Sequence, residues 1–425
     1  MNNIGLLIKM SRIQQNMKQI TLAKGICSTS YLSKIENNQT VPSDDVLQLL
    51  LNRLNLDFQD LSTEEEGKFL LSLFSLYKEA IIERNRNVVE EGLLKFSDKQ
   101  LLFKESKNFY TYNLLLLRLH LIHDPSSTIC ISLKNVLVQM ENDFGIRQKF
   151  IFHLNCGIFD YIQKDYIQAL SSFEKSLKLI SEFHLEEWEL ADFYNAISLS
   201  YLAEGQILNT IEYASKSLSL YRNNLLFKRA FDCYIVLGIA FKRNLNFKNA
   251  EENFLLAKKI VLDLNLHHHN GIINYNLGSL AAIQGDSNKA IQYFEESLNN
   301  FEDEEDFLTT IFSIVQEYSK HNNVKKVEEW CQKGLVFLSS KESPFSFHFN
   351  VYLILHNINL DFEDYLIKAI NYFEQKSDYH HAHKYSILLG NKYSDIRKYK
   401  NATTLLQKAN CFLYKIKTLN YWEDL

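Results

Sequence analysis

Apolar residues recur at three- and four-residue steps along almost the whole of this 425-residue chain, and turn-forming polar residues separate one run from the next. That period lines a single face of an α-helix. The stretch Ile272–Asn300 shows it most plainly: two amphipathic helical patterns flank a Gly285-Asp286 turn. Gly278 falls where the two helices must approach, Ala290 faces it from the second helix, and Phe294 fills the space one turn further on. The set returns upstream at steps of 40 or 41 residues, first as Gly238, Ala250 and Phe254. Ser198, Thr210 and Ala214 follow, then Gly157, Ala169 and Phe173. Downstream it thins to Val327 with Cys331, Ala369 with Phe373, and Ala402 with Leu406. A missing or methyl-sized side chain lets the backbones close, and the aromatic ring seals the gap. A lone hairpin cannot bury that face, so hairpins must stack.

This spacing resembles the tetratricopeptide repeat. The resemblance implies an all-α, right-handed repeat solenoid over residues 63–425, the first helix of each hairpin lining a concave groove. On that face lie Arg118, Asn155, Asn195, Lys242, Arg243, Asn276 and Gln316. An amide carries both a donor and an acceptor, so a ladder of asparagines suits the backbone of an extended peptide whatever its side chains. Asn155, Asn195 and Asn276 are the expected rungs, and Arg118 the expected partner of a peptide carboxylate. The competing reading has each asparagine satisfying backbone groups between helices.

The first 62 residues carry shorter helical patterns. Ile4–Gln15 places Ile4, Leu7, Ile8 and Ser11 on one face, and a second short helix, Gln19–Lys24, ends at Gly25. Ser28 or Thr29 caps a third helix, Ser30–Asn37. Pro42-Ser43 leads to a fourth, Asp44–Leu54, and a fifth turn is expected near Phe58. The motif Gln19-x-x-Leu22-Ala23-x-Gly25-Ile26-x5-Leu32-Ser33-x-Ile35-Glu36-Asn37, followed by Pro42, resembles the λ-repressor-like helix-turn-helix domain. In that fold the second helix of the motif enters the major groove of double-stranded DNA. The resemblance places Thr29, Ser30, Ser33 and Lys34 at base edges, and Lys18 and Gln19 where a helix N-terminus meets phosphate. It pairs Arg12 with Glu36 as a structural contact. Short hydroxyl side chains discriminate modestly between bases, and one such domain binds weakly. Two copies on a two-fold site are therefore implied, as a homodimer or higher homo-oligomer. Ser62-Thr63-x-Glu65-Glu66 reads as a helix N-cap with acids in the first turn, which sets the expected boundary between residues 62 and 63.

Composition agrees with a helical chain: three prolines and thirteen glycines leave few breakers. The net charge of −5 is uneven. Six basic residues (Lys9, Arg12, Lys18, Lys24, Lys34, Arg53) stand against five acidic ones in the first 60 residues, giving +1 there and −6 elsewhere. Only the first segment tolerates a polyanion. The six cysteines are far apart, without C-x-x-C or metal spacing, and fit free thiols in a reducing cytoplasm. The longest apolar run, Leu114–Ile122, holds Arg118 and His120 and is too short to span a bilayer, so no membrane association is expected. His267-His268-His269 and His380-His381-His383 lack ligand spacing, and capping or surface roles suit them better than metal binding. Phe301–Asp306 reads as a solvated helix end, and Ser340–Phe345, with Pro344, as a loop. There is no nucleophile elbow, phosphate loop or paired-acid set, so no enzyme, cofactor or metal is expected.

A helix-turn-helix followed by degenerate repeats, over the full length, resembles the peptide-pheromone-responsive regulators of Gram-positive bacteria, the RRNPP type that includes NprR, PlcR and Rap. The resemblance implies a quorum-sensing transcription regulator, switched by a short signalling oligopeptide in the concave groove. The alternative it carries is a scaffold that sequesters a response-regulator protein.

Overall fold

The computed structural model describes residues 3–97, 100–301, 303–339, 343–356 and 362–417. They build twenty-two α-helices, joined by one pair of three-residue parallel strands. The helix-turn-helix comprises α1 (Ile4–Gln14), α2 (Gln19–Ala23), α3 (Thr29–Glu36) and α4 (Asp44–Leu54). Where a fifth helical turn was expected near Phe58, the chain instead forms β1 (Phe58–Asp60), because a partner strand lies within reach. α5 (Thr63–Glu83) starts at the expected cap: the Ser62 hydroxyl accepts from the Glu65 N–H at 3.3 Å, and Glu65 Oε2 accepts from the Ser62 N–H at 2.7 Å. Then come α6 (Arg86–Ser97), the partner strand β2 (Gln100–Leu102), α7 (Ser106–His123) and α8 (Thr128–Val138).

Regular hairpins follow. They are α9 (Ile146–Ile162) with α10 (Tyr166–Leu179), α11 (Glu187–Ala203) with α12 (Ile207–Asn223), and α13 (Phe227–Arg243) with α14 (Phe247–Asp263). The chain's contacts divide it into two compact units, Met1–Ile260 and Val261–Leu425, a division that falls inside α14. The second unit contains α15 (Asn270–Ile283), α16 (Ser287–Leu298), α17 (Glu304–Lys320), α18 (Val324–Leu338), α19 (Pro344–His356), α20 (Phe362–Gln375), α21 (Tyr379–Asp395) and α22 (Tyr399–Lys417). Pro344 begins α19 rather than sitting in the expected loop, since a first helical position needs no N–H and favours its fixed φ. Residues 340–342 of that loop and Glu302 of the acidic run lie outside the described residues, as does the expected helical structure after residue 417. Asp303 caps α17, accepting from the Glu305 and Asp306 N–H groups at 2.8 and 3.2 Å.

The repeat landmarks do what their spacing implied. A Cβ on Gly157 would meet the Phe173 ring at 2.6 Å, and one on Gly278 would meet Phe294 at 2.7 Å and the Ala290 carbonyl at 3.1 Å. Gly238 stands against Phe254 in the same way. The inter-helix turns share a second requirement that the spacing did not reveal. Lys164, Gly205, Leu245, Gly285, Asn322 and Arg397 each take a left-handed φ, between +51° and +86°. Glycine meets that need without strain, while the other four hold it against a Cβ cost because the hairpins on either side dictate the turn.

Candidate functional site

In the helix-turn-helix, Leu22, Ala23, Leu32 and Ile35 are buried against Leu7, Ile8, Leu50 and Leu54. Gly25 makes the turn at φ +74°, and the Ser28 hydroxyl caps α3, accepting from the Tyr31 N–H at 3.1 Å. With the apolar side committed to the core, Thr29, Ser30 and Lys34 are exposed and Ser33 is half-buried. Lys18 is exposed at the N-cap of α2.

Gln19 is differently placed: its Nε2 donates to Glu36 Oε2 at 2.6 Å, so this group is engaged inside the domain rather than offered to a phosphate. Glu36 is buried and also accepts from Arg12, whose Nη2 lies 2.9 Å from Oε2. The third Arg12 contact, Nη1 to the Met17 carbonyl at 2.8 Å, engages the remaining guanidinium nitrogen. Arg53, which the motif did not single out, donates from the last turn of α4 to the carbonyls of Leu22 (2.9 Å) and Lys24, and so anchors α2.

Within the repeats of the first unit a second arginine is buried. Arg118 is 6% exposed, and its Nη2 donates to Asp192 Oδ2 at 2.6 Å. The other Asp192 oxygen accepts from Arg229 Nη2 at 3.4 Å; Arg229 also pairs with Asp232, and Arg84 stands 3.5 Å from that same carboxylate. Three guanidiniums therefore share two carboxylates. The Nε atoms of Arg118 and Arg229 are buried without a hydrogen-bond partner among the described residues. Beside Arg118 lies a cavity of about 450 Å³, within the range of ligand pockets. Arg84, Arg86, Arg118, Asp192 and Asn195 supply its polar lining, and Ile81, Ile158, Ile162 and Leu199 supply part of its apolar wall. Arg84 is itself the left-handed residue that ends α5, φ +49°, and Arg86 is the first residue of α6.

Of the expected groove residues, Arg118 and Asn195 share this cavity. Asn155 does not line it: the residue is fully buried and its Nδ2 donates to the Leu114 carbonyl at 2.8 Å, which is the inter-helix role. Lys242 is half-buried at the end of α13, and burial together with neighbouring Arg243 pushes its ammonium down to about 8. Arg243 is exposed and donates to the Leu202 carbonyl at 2.6 Å. In the second unit, Asn276 donates to the Ile272 carbonyl of its own helix at 2.8 Å, and Gln316 is hydrogen-bonded to Tyr352. His381 lies where capping was expected, its N–H and ring Nδ1 both on Asp378, at 3.1 and 2.7 Å. Arg84, Arg86, Asp192 and Arg229 were not singled out from the sequence. The one local signal is Arg84-x-Arg86 at a helix junction; the Asp192 partnership spans 74 residues.

Residues 8–61 match the helix-turn-helix family. The transcriptional activator NprA of Geobacillus stearothermophilus is 30% identical over 409 residues, which are 92% of this chain and 98% of NprA. The chain belongs to the RRNPP family of regulators. Two solved structures share the fold: the apo form of the quorum sensor NprR from B. thuringiensis and NprR in complex with its cognate peptide NprX. The apo form has a TM-score of 0.67 at 15% identity, covering 82% of this chain and 99% of that one. The complex has a TM-score of 0.57 at 18% identity, covering 85% and 99%. Among the described residues no helix is long and apolar enough to cross a membrane.

Proposed function

We propose that this RRNPP regulator reads double-stranded DNA as a dimer and is switched by a short peptide bearing an acidic group, seated at the arginine cavity of the first unit. The observation that carries the ligand half is the cavity wall itself, where Arg84, Arg86 and Arg118 face one carboxylate, Asp192, and the buried Arg118 Nε has no hydrogen-bond partner among the described residues. A buried, unsatisfied donor favours an acceptor brought by a ligand, and a planar guanidinium suits a carboxylate. NprR is described with a cognate peptide, which supports a peptide as the source of that carboxylate. Asn195, on the same wall, is the residue that meets the peptide backbone. On the DNA side, Thr29, Ser30, Ser33 and Lys34 take the base edges and Lys18 the phosphate.

A random heptapeptide library passed over the full-length protein tests the ligand half. The retained peptides should share an acidic side chain or depend on a free C-terminal carboxylate. Arg84→Ala and Arg118→Ala should lower retention about tenfold or more, the range of a charge-assisted hydrogen bond. Retention of neutral, amidated peptides by wild type and variants alike would overturn the assignment. For DNA, Lys34→Ala should cost about 1–3 kcal/mol on a selected operator duplex if Lys34 meets a base. Uniform weakening over all duplexes, with a lower salt slope, would place it on a phosphate instead.

A further inference from the structure

The joint between the helix-turn-helix and the first repeat helices turns on one side chain. Asn3 is 5% exposed, and its amide is fully engaged. Nδ2 donates to the carbonyls of Phe103 at 3.0 Å and Lys104 at 2.8 Å, while Oδ1 accepts from Asn38 Nδ2 at 3.0 Å and Ser106 Oγ at 2.7 Å. Two donors and two acceptor sites are the whole capacity of an asparagine side chain. Its partners belong to the segment after α3, to the segment leading into α7, and to the first residue of α7 itself. Gly5 packs directly on the Ile35 carbonyl, with no room for a Cβ, so α1 and α3 hold together. On the other side of the joint β1 pairs with β2, and the Leu61 N–H donates to the Leu102 carbonyl at 3.3 Å. Buried Glu66 accepts from the Lys104 N–H and from Asn108 Nδ2, the latter at 2.8 Å, and sets a carboxylate at the positive end of α7.

A cavity of about 200 Å³ lies between Leu7 and Met10 of α1 and Phe109 and Leu116 of α7. Unfilled space forfeits dispersion contacts, so directed polar bonds carry a larger share of the attachment. A joint of that kind opens at lower cost than a filled core. From Ser106, α7 runs about 18 Å along its axis to Arg118, where the guanidinium meets Asp192 beside the larger cavity.

We propose that Asn3 is the positioning residue for DNA reading: it pins the helix-turn-helix to the first turn of α7, and α7 relays the state of the Arg118–Asp192 pair to that pin. Thr29, Ser30 and Lys34 are exposed in the pinned state, so the pin orients the reading helix and does not cover it. Two reading helices on adjacent half-sites stand about 34 Å apart, and an orientation held in advance removes part of the ordering cost of binding. A ligand carboxylate that draws Arg118 from Asp192 acts at the far end of the same rod. That consequence rests on the arginine cavity being the ligand site; the coupling along α7 does not.

Amide hydrogen exchange of the full chain, with no ligand present, tests the coupling. Asn3→Ala should accelerate exchange at residues 103–108 and, through α7, at 115–119, by about fivefold or more. Asp192→Asn should accelerate exchange at 103–108 reciprocally, and the double variant should fall short of the product of the single effects. Should Asp192→Asn not fold, Arg84→Ala, an exposed side chain at the same cavity, takes its place, with Ser106→Ala as the milder change at the pin. The proposal is overturned if each variant alters exchange only at its own end, or if the effects multiply. A failure here leaves the peptide reading standing, and a library that retains only neutral peptides leaves the coupling standing.

Discussion

Two buried arginine–carboxylate pairs, one in each part of the first unit, look alike on a list of contacts and differ in what surrounds them. Arg12–Glu36 in the helix-turn-helix is closed. Glu36 accepts from two guanidinium nitrogens and from Gln19, and the remaining Arg12 contact goes to the Met17 carbonyl. Arg118–Asp192 in the repeats is open. Asp192 divides itself between Arg118 and Arg229, one nitrogen of each arginine has no partner among the described residues, and a cavity adjoins the pair. Burial of an ion pair by itself argues neither for stability nor for function, because desolvation offsets much of the attraction. Donors left over beside open space distinguish the second pair from the first.

The largest effect that sharpens this contrast is expected at Asp192. Asp192→Ala strands Arg118 and leaves Arg229 with Asp232 as its carboxylate, so denaturant unfolding of the full chain should show the loss of a broken buried pair, about 4 kcal/mol. A loss under 1 kcal/mol would mean that water already shares the pair. Glu36→Ala should cost about 3 kcal/mol, since Arg12 keeps the Met17 carbonyl and is 11% exposed. The loss should appear as faster amide exchange within α1–α4. Asn155→Ala comes next, at about 1 kcal/mol of stability, by removing a buried hydrogen bond to the Leu114 carbonyl, which keeps its bond within α7. Its peptide affinity should match wild type by calorimetry; a tenfold fall would return Asn155 to the ligand site.

The smallest effect concerns Lys242, which burial and Arg243 hold at about 8 against an ordinary value of 10.5. The folded chain therefore releases this proton before the unfolded chain does. With more protons bound in the unfolded state, stability rises with pH from about 8 toward 10.5. Lys242→Met should remove that slope, read as the difference in melting temperature between variant and wild type over pH 8–9.5. An unchanged difference across that window would show the ammonium to be solvated.

The helices, the cap at Ser62 and the Gly–Ala–Phe seams were legible because each depends on residues within one or two turns or one hairpin of each other. The reading helix was legible for the same reason: Ser28, Leu32, Ile35 and Glu36 lie inside a single motif. Less was legible of the candidate ligand site. Arg118 and Asn195, expected on one groove, line one cavity, yet Asn155, at a matching repeat position, turned to a backbone carbonyl instead. Repeat position sets which way a side chain leaves its helix, but the neighbouring helix decides which polar group it reaches first.

By itself, then, the order of residues determined an all-α chain with a helix-turn-helix at its start and stacked hairpins after it. Periodicity and capping are local, and a 40-residue seam repeats the same local problem. The tertiary structure alone decided that β1 finds β2, that Asn3 is filled by four groups from three segments, and that Arg84, Arg118 and Arg229 converge on Asp192 and Asp232. The widest of those separations runs from position 84 to position 232, in Arg84 with Asp232. A charge carries no periodic mark of its partner, and only the stacking of whole hairpins brings such groups within the few ångströms at which they interact.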